Sequence, residues 1–292
     1  MHSRLLHNGE IVDTREKRLS PGQVGFLNGW GVFSTLRVTE GVLFAYERHW
    51  VRMQKDAKLF HVPMPADPDQ FRADLLRLVE ANQAFDATLR VAVVRNRGGY
   101  FEAPGLERDY DVVAFTTALQ KWGSGVRLGI QRQARHSGCE FRGAKITAWS
   151  HNLTWLENAR QAGFDEVVLL DDHDRVSECT SANIFAIFGN YVVTPSLESG
   201  CLPGITRDII LRNCFIDGIT LEEGDLRLDD LYRADAAFIT SSTRDLLSIL
   251  SVGGRDLGQS DGVRQRLAAA FRVFRETYVA QRKVGVLAGI ED

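Results

Sequence analysis

VSECTSANIF, residues 176–185, sets a lone carboxylate, Glu178, among small polar residues and then enters an apolar run. With its continuation AIFGNYVVTP it reads as strands joined by a turn at Gly189-Asn190. Thirty-three residues earlier, in RGAKITAW, stands Lys145, the only lysine between Lys121 and Lys283. A lysine and an acid held in register can grip one aromatic ligand. Taken singly, each is as readily a solvated surface charge, so the flanking sequence decides.

Downstream, LPGITRDIILRNC reads as a helix whose first turn holds Gly204, Ile205 and Thr206. ITLEEGDL, a short helix, AAFITSSTRDLLSILSVGG and a final helix over about residues 261–282 complete the chain. Upstream, DEVVLLD is a strand, preceded by a helix over about 152–162 that ends at Gly163, and by the strand VRLGIQRQA. The Gly-Ser segment LQKWGSG before that strand is the best linker in the chain. It sets an expected N-terminal α/β domain over 1–120, a linker at 121–125 and a C-terminal domain over 126–292.

In the N-terminal part, RLLHNGEIV reads as a strand with an Asn-Gly turn inside it. GQVGFLNGWG is glycine-rich, as suits a loop passing close to something, and VFSTLRVTEGVLFAY gives two strands meeting at Glu40-Gly41. Trp50, Met53, Ala57 and Phe60 recur at helical spacing, as do Phe71, Leu75, Leu78 and Val79 behind an N-cap at Asp67. LRVAVVR and YDVVAFTTAL look like buried strands of one sheet, separated by the loop NRGGYFEAPGLERD. The pattern is α/β, in the α+β two-domain sense.

The 292 residues carry a net charge of −3, which gives no electrostatic footprint for nucleic acid or an anionic membrane. No stretch reaches the roughly 18 apolar residues of a membrane span, and the N-terminus lacks a secretory pattern, so a cytoplasmic protein with a small-molecule ligand is expected. The four cysteines show no metal-ligand spacing and the seven histidines no HxH or HExxH, so no metal site is expected.

A helix start such as PGIT presents free amides and a positive dipole end, a natural seat for a phosphate. The hydroxyl-rich turn Thr240-Ser241-Ser242-Thr243 adds donors for the same anion. A cofactor with an aldehyde, a phosphate and a ring nitrogen ties these parts together, and pyridoxal phosphate has all three. Its aldehyde requires a lysine, and its ring is an electron sink only while the nitrogen stays protonated, which an adjacent acid favours. Lys145 and Glu178 fill those parts.

At these residues the chain resembles the class IV (fold type IV) pyridoxal-phosphate aminotransferases and lyases, which include branched-chain and D-amino acid aminotransferases and aminodeoxychorismate lyase. The likeness runs from LLHNGEIV to about Gly254 and is strongest over AGFDEVVLLDDHDRVSECTSANIF, VVTP, LPGITRDIIL and RADAAFITSST. It implies a smaller N-terminal α/β domain, a larger C-terminal one with a mixed, barrel-like sheet, the cofactor between them, and a homodimer. Residue by residue, Lys145 matches the Schiff-base lysine and Glu178 the ring-nitrogen acid of an element ending at Asn183. Arg52, three residues after a histidine, matches the phosphate-binding arginine. Ile205 and Thr206 match the phosphate-binding helix start, and Ser241 or Ser242 the hydroxyl turn. The chain departs from the family at Gly29-Trp30-Gly31, where many members carry Gly-Asp-Gly, and at Ser34, where many carry an acid. Trp149 falls where branched-chain enzymes place a tyrosine, and Glu178-Cys179 is similar to the lyase branch.

The resemblance implies transfer of an amino group from an α-amino acid to a 2-oxo acid, branched-chain type ahead of D-amino acid type, with Lys145 moving the α-proton. Phe33 would shape the substrate pocket, and Arg37 or Arg97 would pair with the substrate carboxylate. A lyase giving 4-aminobenzoate and pyruvate is the alternative. A non-catalytic binding protein is the remote one, and it has no need of the Lys145 and Glu178 pair.

Overall fold

The computed structural model describes residues 1–99, 102 and 107–288, with side chains given as far as Lys283 in the last helix. Contacts divide the chain into two compact units. The first takes Met1–Gln120, Lys145–Trp149 and the chain from Thr277 onward; the second takes Lys121–Ala144 and Ser150–Glu276. The expected C-terminal domain is one run of sequence, whereas these units exchange the lysine segment and the last helix's end.

The first unit is built on an antiparallel sheet ordered β2-β1-β6-β5-β3-β4. Its strands are β1 (Arg4–His7), β2 (Glu10–Asp13), β3 (Gly31–Thr39), β4 (Val42–Leu43), β5 (Ala87–Arg95) and β6 (Tyr110–Ala118). The single N-terminal strand expected from RLLHNGEIV is a hairpin, because Asn8 and Gly9 both adopt positive φ, 51° and 83°, and turn the chain back between β1 and β2. The glycine-rich stretch contains a short helix, α1 (Val24–Asn28), rather than only a loop. Gln23 fixes its start, its side chain donating to Asn96 Oδ1 at 2.9 Å and also to Asp111. Of the loop between β5 and β6, residues 100, 101 and 103–106 lie outside the described ones.

Helices α2 (Tyr46–Leu59) and α3 (Pro68–Ala81) bury the apolar stripes their spacing predicts. Trp50, Met53 and Ala57 of α2 meet Phe71, Leu75, Leu78 and Val79 of α3 in one core with Leu6, Leu36 and Leu89 of the sheet. Asp67 caps α3 as expected, accepting from the amides of Asp69 and Gln70 at 2.8 and 3.1 Å.

The second unit holds a mixed sheet that forms a half-barrel, ordered β12-β11-β10-β13-β14-β7-β8-β9, with β15 (Arg255–Asp256) added to β14. Its other strands are β7 (Gly125–Arg135), β8 (Glu166–Asp171), β9 (Val176–Cys179), β10 (Asn183–Phe188), β11 (Tyr191–Pro195), β12 (Thr220–Gly224), β13 (Ala236–Ser241) and β14 (Asp245–Val252). Parallel pairs at β11 with β12, β14 with β7 and β7 with β8 make it mixed. The helices are α4 (Ser150–Gln161), α5 (Ile205–Asn213), α6 (Leu228–Arg233) and α7 (Gly262–Ala288). Leu128, Val168, Leu170, Ile184, Ile239 and Val252 form the core of this unit. Among the described residues no helix is long and apolar enough to cross a membrane.

Candidate active site

In the first unit, β4 covers only Val38 and Thr39 of β3, which leaves the start of β3 an open edge. The lysine segment occupies it: Phe33 N donates to Lys145 O at 3.1 Å, Thr147 N donates to Gly31 O at 2.9 Å, and Val32 bridges Ile146. An exposed edge is satisfied by another stretch of backbone, and here that stretch carries Lys145. The glycines of the preceding loop are explained by the same approach. Gly29 has φ 62°, and a Cβ there would stand 2.9 Å from Ala148 Cα. At Gly31 a Cβ would stand 2.7 Å from Val93 O and 3.1 Å from Thr147 Oγ1.

Lys145 Nζ lies 4.5 Å from the centroid of the Phe33 ring, and its backbone amide donates to Asp56 Oδ2 at 3.1 Å. Burial raises the Asp56 carboxyl above its usual range, opposed by that amide, by Arg52 and by nearby lysines. Arg52 is buried on α2 and donates from Nη2 to Ser34 Oγ at 2.9 Å. Burial lowers its guanidinium to about 10, against the attraction of Asp56, so it remains a cation at neutral pH.

The two arginines expected at the substrate carboxylate fare differently from a third. Arg97 is half exposed and ion-paired to Glu102 at 3.3 Å and Asp109 at 3.6 Å, so its charge is already engaged on the surface. Arg37 is four residues beyond Phe33 on β3, opposite Thr88. Arg90 of β5, opposite Thr35, lies with its guanidinium carbon 3.9 Å from the Phe33 centroid and 5.7 Å from that of Trp149. Among the described residues it pairs with no carboxylate, and burial lowers its pKa. Phe33 and Trp149 meet edge-on, centroids 6.1 Å apart. Sequence reasoning passed over Arg90 because LRVAVVR reads as a buried strand. Its one signal was a guanidinium set inside that apolar run.

In the second unit, Glu178 on β9 is buried and held at both oxygens. Arg135 Nε donates to Oε1 at 2.9 Å, and the amide of Leu202 donates to Oε2 at 3.0 Å. Arg135 is held in turn by Asn152 Oδ1 at 3.2 Å. The turn after Glu178 is tied down by Glu166, which accepts from Thr180 Oγ1, from Ser181 Oγ at 2.7 Å and from Arg244 Nη2 at 3.2 Å. Cys179, on the other side of the strand, points into the core, where burial pushes its thiol well above the usual range.

Asn183 donates from Nδ2 to Leu202 O at 2.8 Å, so the acid and the asparagine both grip the loop before α5. That loop enters α5 at Gly204, where a Cβ would fall 1.9 Å from Asn183 Oδ1. Ile205 and Thr206 follow, both buried, in the first turn, whose leading amides are free of helical partners. Thr240 faces Asn183 across the β10–β13 pair, on the same face of the sheet. Its Oγ1 is buried and has no hydrogen-bond partner. Ser241 accepts from Thr243 N at 3.4 Å, and Ser242 follows half-buried in the same turn. A glycine-opened helix start and an orphaned hydroxyl fit the phosphate of pyridoxal phosphate, and the clamped Glu178 fits its ring nitrogen.

The first unit carries a lysine amine against an aromatic ring, and the second carries a clamped acid near a phosphate-type helix start. The model of the amino-transferase class IV family matches residues 31–252, and the chain belongs to that family, whose members depend on pyridoxal phosphate. The chain is similar to the putative branched-chain-amino-acid aminotransferase of Methanocaldococcus jannaschii, 28% identical over 92% of this chain and 95% of that one. It is also similar to the D-alanine aminotransferase of Bacillus licheniformis, 27% identical over 87% and 90%. The aminodeoxychorismate lyase of Bacillus subtilis is 27% identical over 87% and 88%. Its fold matches the branched-chain amino acid aminotransferase structure from Escherichia coli with a TM-score of 0.84, over 94% of this chain and 95% of that one, at 24% identity.

Proposed function

We propose that this aminotransferase moves an amino group between an α-amino acid and a 2-oxo acid, with branched-chain substrates ahead of D-amino acids. The observation that carries it is the flanking of one aromatic ring, Phe33, by the Lys145 amine and the Arg90 guanidinium. An amine, and a cation that pairs with no carboxylate among the described residues, both against one apolar surface, are what a substrate with an α-carboxylate and an apolar side chain requires. Arg90 therefore joins Arg37 as a carboxylate anchor of this reading, ahead of the surface-paired Arg97.

Pyridoxal phosphate, when bound, supplies an aldehyde that captures the substrate amine and a ring that accepts the electron pair left at the α-carbon. Lys145 would hold the cofactor through Nζ, and its amine would take the α-proton and give it back. Glu178, kept in place by Arg135 and Leu202, holds the proton on the ring nitrogen. In the second unit, the first turn of α5 and the hydroxyls of Thr240, Ser241 and Ser242 would bind the phosphate, and the family resemblance assigns Arg52 to the same group. Phe33 and Trp149 exclude water from the α-carbon. The family resemblance also supports a homodimer, and the free thiols at Cys139, Cys179, Cys201 and Cys214 support the cytoplasm.

The test mixes the purified, cofactor-loaded protein with L-leucine or D-alanine and, separately, with aminodeoxychorismate. Loss of the visible cofactor absorbance with an amino acid, restored by 2-oxoglutarate, is the expected result. Pyruvate from aminodeoxychorismate with no spectral response to either amino acid would establish the lyase instead. Replacing Arg90→Leu should raise KM for both the amino acid and the 2-oxo acid by about tenfold or more, the worth of a charge-assisted hydrogen bond.

A further inference from the structure

Ser34, His49 and Arg52 form a buried polar group inside the first unit. Ser34 lies on β3 and the other two on α2, one turn apart on the same face. Their exposures are 0%, 3% and 7%. Ser34 Oγ accepts from Arg52 Nη2 at 2.9 Å and lies 2.7 Å from His49 Nδ1. With one lone pair taken by the arginine, the hydroxyl keeps its proton and a second lone pair; we assign that proton to the bond with Nδ1, with His49 as the neutral tautomer protonated on Nε2. Burial supports that state, lowering His49 well below its ordinary pKa, and Arg52 and Lys145 add to the effect. Asp56, one turn further along α2, attracts Arg52 from another side.

We propose that Ser34 and His49 are positioning residues for Arg52, a two-member hydrogen-bonded chain that fixes the guanidinium in the rotamer that meets the cofactor phosphate. This rests on the assignment of Arg52 to the phosphate given above. An arginine loses rotamer freedom when it is fixed, and a partner built into the fold meets that cost before the ligand arrives. Ser34 suits the task because it is neutral: it orients the guanidinium without offsetting its charge. His49 suits it because, as a buried neutral acceptor, it fixes which way the serine hydroxyl points.

The experiment strips cofactor from the wild-type protein and from Ser34→Ala, Ser34→Thr, His49→Leu and His49→Asn. Each is then titrated with pyridoxal phosphate and with pyridoxal, which has the aldehyde and ring but no phosphate. Ser34→Ala and His49→Leu should weaken pyridoxal phosphate by about tenfold while pyridoxal binds as it does to the wild type. Ser34→Thr keeps the hydroxyl, and His49→Asn keeps an acceptor at the Nδ1 position, so both should retain wild-type affinity. In an Arg52→Met background, Ser34→Ala should change nothing further. Equal weakening of both ligands, or an undiminished Ser34→Ala effect without Arg52, overturns the proposal. Should Ser34→Ala fail to fold, judged by circular dichroism, the same comparison on His49→Leu decides. A wild-type protein that binds neither ligand would instead overturn the proposed function, a result visible without any variant.

Discussion

Glu178 and Cys179 are neighbours with opposite fates. Alternation along β9 sends the acid to Arg135 and Leu202 and the thiol into the core, so a pair that looked similar to the lyase branch contains only one residue able to touch chemistry. The acid stood out in the sequence as a lone carboxylate ahead of Ser-Ala-Asn and an apolar run, and the resemblance gave it a part. Its clamp did not stand out, since Arg135 stands 43 residues away and nothing local marks it as a partner. Arg135→Gln tests that clamp. Removing a buried charge-assisted hydrogen bond leaves Glu178 free to turn from the ring nitrogen, and kcat should fall about ten- to a hundredfold with KM little changed. A shift in the visible spectrum of the bound cofactor should accompany it, because a residue acting only on stability would leave that spectrum alone.

The long helices and the strands around VSECTSANIF could be read from periodicity, since burial on one face imposes a repeat on the sequence. Helix α1 could not: five residues between glycines carry no such repeat, and what holds Gln23 at its start comes from Asn96 and Asp111. The start of α5 is the element on which the phosphate reading depends, and Gly204 is its tightest point. The glycine has ordinary extended dihedrals, φ −67° and ψ 140°, so its side chain is excluded by space and not by backbone strain. A methyl group would meet Asn183 Oδ1, which can withdraw only by breaking the bond from Asn183 Nδ2 to Leu202 O. Gly204→Ala should therefore cost about 1–3 kcal/mol, the usual penalty for overpacking, read as a lower urea midpoint. Adding Asn183→Ala removes the obstructing oxygen, and the double variant should recover part of that loss. A double variant less stable than Gly204→Ala would show that the clash is not the cause.

At the scale of the whole molecule, composition and charge set the expectation of a small-molecule ligand, but the addition of Lys145–Thr147 to the edge of β3 was invisible. That pairing is an encounter of segments more than 110 residues apart, and it leaves no period in either one. Its consequence is a cluster of buried ionisable groups, Arg52, His49, Asp56 and the lysine segment, whose protons bear on the stability of the fold. His49 is held neutral when folded and binds a proton near 6.5 when unfolded, so the unfolded chain takes up more protons as the pH falls through that value. Its contribution is complete above about 6.5 and is lost progressively below it. Asp56 acts in the opposite sense: its raised pKa favours the protonated folded form, so its contribution is present in acid and lost as the pH rises from about 3.9. Between pH 7 and 5 the two act in opposite directions, His49 lowering stability as the pH falls and Asp56 raising it. The melting temperature of the cofactor-free protein, followed from pH 7 to 5, reads their sum, and replacing the histidine isolates its share. His49→Asn, which keeps the hydrogen-bond acceptor but cannot be protonated there, should turn that part of the profile upward in acid relative to the wild type. An equally steep profile in the variant would place the sensitivity in other groups.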